Sequence, residues 1–210
     1  MFHLGRGLRA DMNPNDIGRI ELWRRTLRDF VPRAHHRHES YALRACHLAV
    51  DAARLGTYGV GALLFDANGK IIVEGHNKVH AGGFRSDLHA EMVVMNDYEA
   101  ARWPPEKARE CTLVTSLEPC PMCMARLIVA GIGAVLYLAE DPWGGMVSRK
   151  QSLPPTFRAI IQSEGQTWQL AECSDQLSAA ARGIWTETRE RVRRRLPRAQ
   201  ERRDERIAAS

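Results

Sequence analysis

The chain has 210 residues, of which 44% are hydrophobic and 26% are charged, and it carries a formal net charge of +5. This length allows one well-packed domain with additional segments and excludes two large domains. Residues 189–206 contain nine arginines and four acidic residues, so this segment alone accounts for the net charge. An attraction to nucleic acid through bulk charge would therefore have to come from the C-terminal tail.

Several classes of protein are excluded by composition. No apolar run approaches the roughly 20 residues that span a bilayer, so we expect no membrane association. Residues 1–15 lack the basic segment, apolar core and cleavage site of a secretory signal. The five cysteines are an odd and sparse set, which argues against a disulfide framework. We therefore expect a cytoplasmic protein with reduced thiols.

The chain is predicted to have three parts. Residues 1–39 form an N-terminal helical appendage and linker, residues 40–188 form the main domain, and residues 189–210 form an arginine-rich C-terminal tail. The first part contains a weakly periodic apolar segment, which predicts an amphipathic helix ending before Pro32. The histidine-rich run at 35–38 that follows is interpreted as a solvated linker, because no acid or thiol of suitable spacing accompanies it.

Strands and helices are predicted to alternate through the main domain. A helix begins near Ser40 and stops at Gly56, and a hairpin follows whose turn is Asp66-Ala67-Asn68-Gly69. The later predicted elements are a helix from about His89, a strand at 112–115, a helix from Pro121 to about Ala130, a strand at 134–139, a short helix at 157–162, a strand at 167–171 and a long helix from Ser174. This alternation predicts an α/β fold whose sheet is covered on both faces.

One histidine and two cysteines have the spacing of a metal site. His89 lies in His89-Ala90-Glu91, and Cys120 and Cys123 lie in Pro-Cys-Pro-Met-Cys. One imidazole and two thiolates give zinc three protein ligands and leave the fourth tetrahedral position for water, which is typical of a catalytic site. The three other cysteines are solitary in sequence, so a closed structural zinc site is the less favoured alternative.

The predicted helix starts explain how these ligands converge. His89 begins one helix, and Cys120 and Cys123 share one face of the first turn of another. Helix N-termini carry partial positive charge, which favours ionised thiolates. Glu91, two residues after His89, is predicted to reach the zinc-activated water and to move its proton.

These two motifs resemble the signature of zinc-dependent nucleobase deaminases, in which the glutamate is not a metal ligand. The resemblance covers about residues 40–145 and points to the cytidine and deoxycytidylate deaminase superfamily, in the branch of free-base and tRNA adenosine deaminases. It implies a three-layer α/β/α fold with a mixed five-stranded sheet, and usually a homodimer. It also implies hydrolytic deamination of a small-molecule nucleobase or nucleoside, with Zn²⁺ and without an organic cofactor.

The resemblance also implies substrate contacts. Asn77 matches an asparagine that hydrogen-bonds the substrate ring, although a loop asparagine that bonds local backbone is the alternative. The backbone amides of Ala90 and Cys120 and the carbonyls near Ser116 and Leu117 match positions that contact the base or the leaving amine.

The loop Glu140-Asp141-Pro142-Trp143-Gly144-Gly145 departs from the family pattern. Trp143 could stack on a bound base, and Asp141 or Glu140 could pair with a ring NH or amino group. Packing of Trp143 within its loop or at a dimer contact is an equal alternative. The substrate specificity of known family members therefore cannot be inferred for this chain from this loop.

The substrate remains open at this point. The segment Thr115-Ser116-Leu117-Glu118-Pro119-Cys120 resembles guanine and tRNA adenosine deaminases and gives a slight preference for a purine such as guanine. Gly75-His76-Asn77 also resembles cytosine deaminases. A nucleic-acid substrate is less favoured, because the tail alternates arginines with acids and lacks aromatic residues after Trp185. A non-catalytic partner subunit is also less favoured, because Glu91 is present.

Overall fold

A mixed five-stranded sheet lies at the centre of the structure, a computed structural model that describes residues 14–195. The strand order is β2-β1-β3-β4-β5. Its strands are β1 (Gly61–Phe65), β2 (Ile71–His76), β3 (Thr112–Thr115), β4 (Ala134–Tyr137) and β5 (Thr167–Leu170). β1 is antiparallel to both β2 and β3, whereas β3, β4 and β5 run parallel. The predicted mixed five-stranded sheet is confirmed.

Six α-helices accompany the sheet within the described range. They are α1 (Pro14–Arg28), α2 (Glu39–Arg54), α3 (Ala90–Ala100), α4 (Pro121–Val129), α5 (Pro155–Ser163) and α6 (Asp175–Arg195), and two short 3₁₀ helices lie at Pro105–Glu110 and Lys150–Ser152. The elements form the predicted three-layer α/β/α arrangement, and none of the helices between residues 14 and 195 has the length and apolarity needed to cross a membrane.

The β1–β2 hairpin turns where the sequence predicts. Oδ1 of Asp66 accepts hydrogen bonds from the amides of Asn68 and Lys70, at 2.9 and 3.0 Å. Gly69 has a φ of 78°, a left-handed conformation that glycine adopts without steric cost. The turn therefore sets the register that pairs β1 with β2.

Helix α2 packs directly on β1 because the contact residue is a glycine. A Cβ atom on Gly61 would lie 2.4 Å from the carbonyl oxygen of Ala45 and 2.4 Å from Cβ of Leu48. The absence of a side chain thus brings the helix backbone against the strand. The face that α2 buries is largely alanine, which suits so close an approach.

The histidine-rich linker is only partly solvated. His38 is buried, and its Nδ1 accepts a hydrogen bond of 2.9 Å from the amide of Glu172, while its own amide donates to the carbonyl of Glu172. The expectation of a solvated linker is therefore wrong for His38, because this residue joins the start of α2 to the segment between β5 and α6. His35 and Arg37 are exposed, as expected.

Helix α6 continues across the predicted boundary between residues 188 and 189. Arg191 is buried, and its Nη2 donates to the carbonyls of Ala53 and Thr57, at 2.8 and 3.2 Å. The interpretation of the arginine-rich segment as a solvated helix is wrong at this residue. Residues 196–210 of the predicted tail, like residues 1–13, lie outside the described range.

The parallel part of the sheet positions two functional loops. Thr115, the last residue of β3, pairs with Tyr137, the last residue of β4. The chain leaves both strands at the same edge, where residues 116–120 and residues 138–145 follow. Ligand sites of open α/β sheets gather at such carboxyl ends.

Candidate active site

Three predicted metal ligands meet at the starts of two helices. His89 immediately precedes α3, Cys120 immediately precedes α4, and Cys123 lies in the first turn of α4. Their ligand atoms all lie within 4.8 Å of one another. Nδ1 of His89 lies 3.6 Å from Sγ of Cys120, which lies 3.6 Å from Sγ of Cys123. One imidazole nitrogen and two sulfurs in this arrangement fit zinc.

The environment of Cys120 favours its ionised form. Its hydrogen bond with Cys123 and its contact with His89 lower the pKa of Cys120 to about 4, although burial opposes the shift. A thiolate is the form of cysteine that binds metal. The same hydrogen bond raises the pKa of the Cys123 thiol, so these contacts favour a thiolate at Cys120 and a protonated thiol at Cys123.

Glu91 lies beside this cluster and is not one of the ligands. It is only 4% exposed, and burial raises the pKa of its carboxyl group. Oε2 accepts from the thiol of Cys123 at 3.5 Å, and Oε1 accepts from the hydroxyl of Thr115 at 3.3 Å. The carboxyl group is thus held beside the cluster, where it can transfer a proton.

A cavity of about 640 Å³ opens from the metal cluster to the surface. Its lining consists of Tyr58, Val60, Asn77, His89, Glu91, Leu117, Glu118, Cys120, Asp141, Pro142, Trp143, Trp185, Arg189 and Arg193. Four predicted substrate or catalytic residues are therefore brought together with the ligands, namely Asn77, Glu91, Asp141 and Trp143. Tyr58, Trp185, Arg189 and Arg193 had not been singled out for this site from the sequence.

Two predicted substrate contacts do not line the cavity. The hydroxyl of Ser116 accepts a hydrogen bond from the amide of Gly61 at 3.1 Å, so this side chain links β1 to the end of β3. Ala90 is fully buried in the core at the start of α3. The exposed Glu140 also lies outside the lining, unlike its neighbour Asp141.

The orientation of the Asn77 amide follows from its hydrogen bonds. Oδ1 accepts from the hydroxyl of Thr57 at 2.6 Å and from the amide of Val79 at 3.0 Å. Because both donors satisfy the oxygen, the NH₂ group is the part of this cavity-lining side chain that remains to donate. Asn77 thus makes the local bonds of a loop asparagine and also presents a donor to the cavity.

Glu118 fixes the loop that follows β4. Its two carboxylate oxygens accept from the amides of Asp141 and Ser148, at 3.0 and 2.7 Å, and the side chain is only 3% exposed. A Cβ atom on Gly145 would lie 2.2 Å from Oε2 of Glu118, so the loop wraps closely around the carboxylate. Oδ1 of Asp141 then accepts from the amide of Trp143 at 3.1 Å. The glutamate before Pro119 therefore positions the loop that carries Asp141 and Trp143.

The indole of Trp143 lies at the outer part of the cavity. It is 60% exposed, and its ring centre lies 5.6 Å from that of Trp185 on α6. The guanidinium carbon of Arg189 lies 4.3 Å from the Trp143 ring centre and 5.5 Å from that of Trp185. Helix α6 therefore forms one side of the cavity mouth.

The sequence profile described as the cytidine and deoxycytidylate deaminase zinc-binding region matches residues 36–139. The chain is 35% identical over 149 residues to the tRNA-specific adenosine deaminase of Bacillus subtilis, which covers 70% of this chain and 89% of that protein. It is 34% identical over 104 residues to the guanine deaminase of the same organism. This match covers 49% of this chain and 65% of that protein.

A further relative is much longer than this chain. The match to the tRNA(Ile)-lysidine synthase of Deinococcus radiodurans is 37% identical over 101 residues and covers 48% of this chain but only 17% of that protein. Among solved structures, the guanine deaminase from Nitrosomonas europaea superposes with a TM-score of 0.54 at 18% identity, covering 89% of this chain and 97% of that one. This likeness concerns the fold.

Proposed function

Because the chain belongs to the cytidine and deoxycytidylate deaminase family, whose members are zinc-dependent hydrolases of amino groups on cyclic amidines, we propose that its substrate is a purine base or nucleoside. The observation that carries the proposed deamination is the position of Glu91, a buried carboxylate beside three proposed zinc ligands in a cavity of about 640 Å³. We also propose that guanine is the base, with adenosine in tRNA and cytosine or cytidine as alternatives.

The proposed reaction replaces the exocyclic amine with oxygen from water. His89, Cys120 and Cys123 would hold zinc, which would supply a Lewis acid that makes a water nucleophilic near neutral pH. Glu91 takes a proton from the attacking water and delivers it to the neighbouring ring nitrogen. Glu91 then takes the second proton from the new hydroxyl group on the ring carbon and passes it to the amine, so that the carbonyl forms as the C–N bond breaks and ammonia leaves.

The remaining cavity residues would orient the ring. The NH₂ group of Asn77 is available to donate to a ring nitrogen or carbonyl oxygen. The carboxylate of Asp141 can accept from a ring NH or an amino group, and Trp143 offers an aromatic face beside them. The preference for a purine rests on the similarity of the chain to a tRNA-specific adenosine deaminase and a guanine deaminase.

The substitution Glu91→Gln tests the proposed role. It preserves the shape of the side chain but removes the group that accepts and returns the proton, so we expect bound zinc to be retained and turnover to fall about 100- to 10,000-fold. Zinc content is measured by atomic absorption and turnover by ammonia release from guanine, adenine, cytosine, their nucleosides and tRNA. The control is Glu99→Gln, at the exposed end of the same helix, where Glu99 pairs with Arg126.

A Glu91→Gln enzyme with wild-type turnover would contradict the assignment. Zinc-loaded wild-type protein that releases ammonia from none of the substrates would contradict the proposed function itself. If only cytosine or cytidine releases ammonia, the substrate is a pyrimidine and the proposed purine is wrong.

A second candidate is deamination of adenosine in tRNA. The extensive match to a tRNA-specific adenosine deaminase and the two α6 arginines at the cavity favour it. Ammonia release from tRNA but from no free base or nucleoside would establish this alternative.

We further propose a cytoplasmic homodimer. Helix α4 supports this because it leaves two apolar side chains outside the core, Met122 at 38% exposure and Val129 at 70%. A second copy of the chain would remove such side chains from water.

A further inference from the structure

Arg189 differs from its neighbours on α6 in what it contacts. Arg191 is buried against backbone carbonyls, and Arg194 pairs with Asp16 at 3.3 Å. Arg189 instead lies over Trp143 and near Trp185, and within residues 14–195 it forms no ion pair with a carboxylate. Its charge therefore faces the cavity without an anionic partner from the described part of the chain.

The cation–π contact of Arg189 prepares it to bind an anion. Its guanidinium carbon lies 4.3 Å from the centre of the Trp143 ring, and this contact does not use the N–H donors as hydrogen bonds to a carboxylate. These donors match two oxygens of a phosphate in a bidentate arrangement. The two indoles also restrict the rotamers of the side chain, so less entropy is lost on binding.

Charge is distributed unevenly along the cavity. Glu91 lines the cavity beside the metal cluster, Glu118 and Asp141 bond the loop after β4, and all three are less than 10% exposed. Apart from His89, the cationic residues of the lining are Arg189 and Arg193, and both lie on α6. A ligand that fits this pattern has a base at one end and an anionic group at the other.

The volume of the cavity agrees with such a ligand. About 640 Å³ lies within the range of roughly 300–1,000 Å³ that holds drug-sized molecules, and a bare base is much smaller. A base beside Glu91 would therefore leave part of the cavity volume for a ribose and its phosphate.

We propose that Arg189, assisted by Arg193, forms a phosphate subsite at the cavity mouth, and that the enzyme prefers the nucleotide of its base to the nucleoside without phosphate. This inference rests on the proposed deaminase function and adds the phosphate group to its substrate. The phosphate can belong to a nucleoside monophosphate or to the backbone of an RNA, and both present the same oxygens to the guanidinium. The family profile ends at residue 139, so this subsite lies in a part of the chain that the profile does not cover.

The test compares substrates with and without a phosphate. Specificity constants (kcat/KM) are measured for guanosine against GMP, adenosine against AMP, and a stem–loop RNA with an unpaired adenosine, using zinc-loaded full-length protein. We expect the phosphate-bearing substrate to exceed its nucleoside by at least about tenfold, because one charge-assisted contact has roughly this value. Arg189→Gln should remove most of this preference, and Arg189→Lys should retain part of it.

Arg182→Gln is the matched control. Arg182 is an exposed arginine of the same helix that does not line the cavity, so the preference should persist in this variant. A preference for GMP or AMP identifies a mononucleotide, and a preference shown only with the RNA identifies a backbone phosphate. Equal constants for nucleoside and nucleotide in the wild-type protein, or a preference that survives Arg189→Gln, would overturn the subsite.

A binding measurement separates this inference from the proposed function. Ribose 5-phosphate and ribose are titrated calorimetrically into the wild-type protein and the Arg189→Gln variant, which requires no turnover. If no substrate releases ammonia, binding of ribose 5-phosphate that depends on Arg189 would still support the subsite while the proposed function fails. Equal binding of ribose and ribose 5-phosphate would exclude the subsite whatever the activity.

Discussion

At the scale of single residues, Glu118 shows how one carboxylate organises a loop. Both of its oxygens accept backbone amides, from Asp141 and from Ser148. These two amides are seven residues apart, so the carboxylate closes the loop between them. Because Glu118 is two residues before Cys120, the same short segment fixes a metal ligand and the opposite wall of the cavity.

We expect Glu118→Gln to loosen this loop. A glutamine can accept with only one of its terminal atoms, so one buried amide would face an NH₂ group, at a cost of about 1–3 kcal/mol of unfolding free energy. The looser loop should raise KM more than it lowers kcat, since Glu118 moves no proton in the proposed reaction. Urea denaturation and steady-state kinetics measure the two effects.

The matched control for this change is Glu140→Gln. Glu140 lies in the same loop but is exposed and does not line the cavity, so the free energy of unfolding should change by less than about 0.5 kcal/mol. Similar effects of the two substitutions would refute the positioning role of Glu118.

At the scale of elements, most of the fold follows from local patterns. The Asp-Ala-Asn-Gly turn, Pro121 in the first turn of α4 and the apolar strands agree with the structure to within a few residues. The convergence of His89, Cys120 and Cys123 was also predictable, because both helix starts were. The role of His38 was not, since it depends on a contact with Glu172, 134 residues away.

The contact of His38 makes the stability of the fold depend on pH. Burial lowers the pKa of His38 below its usual value of 6.5, with a further contribution from Arg37 that the charge of Glu172 opposes. The unfolded chain therefore takes up this proton at a higher pH than the folded chain. The stabilisation is complete above about pH 6.5 and is lost as the pH falls through the lowered pKa.

His38→Asn isolates this effect. Asparagine offers an oxygen near the position of Nδ1 but does not titrate, so it can accept from the amide of Glu172 at every pH. We expect the wild-type protein to lose more stability than this variant between pH 7.5 and 5.5, as measured by urea denaturation at each pH. Parallel losses in the two proteins would contradict the assignment.

At the scale of the whole molecule, the cavity depends on segments far apart in the chain. The predicted metal ligands lie at the starts of α3 and α4, the loop after β4 supplies Trp143, and α6 supplies Trp185 and Arg189. The metal ligands were predictable because short local motifs indicate their chemistry. The contribution of α6 was not, because a run of arginines does not indicate which of its members the fold places against a cavity and which it exposes to water.

The final turns of α6 also hold the domain together. The hydroxyl of Thr188 accepts from the amide of Gly59 at 2.8 Å, Arg191 donates to the carbonyls of Ala53 and Thr57, and Val192 is buried. The three hydrogen bonds reach α2 or the segment that leads from it to β1. This segment continues into β1, which lies between β2 and β3 in the sheet.

A comparison of two truncated chains tests this dependence. A chain ending after Glu187 lacks all of these contacts, whereas a chain ending after Arg195 keeps them. We expect the shorter chain to be less stable than the longer one by at least about 2 kcal/mol, because buried hydrogen bonds of a charged group each contribute roughly 1.5–3 kcal/mol. Thermal and urea denaturation of the two chains measure the difference, and Arg191→Leu in the full chain should reproduce part of it. Equal stability of the two chains would instead place the end of the domain at residue 187 or earlier, and would make the arginine-rich turns of α6 a feature of the cavity mouth alone.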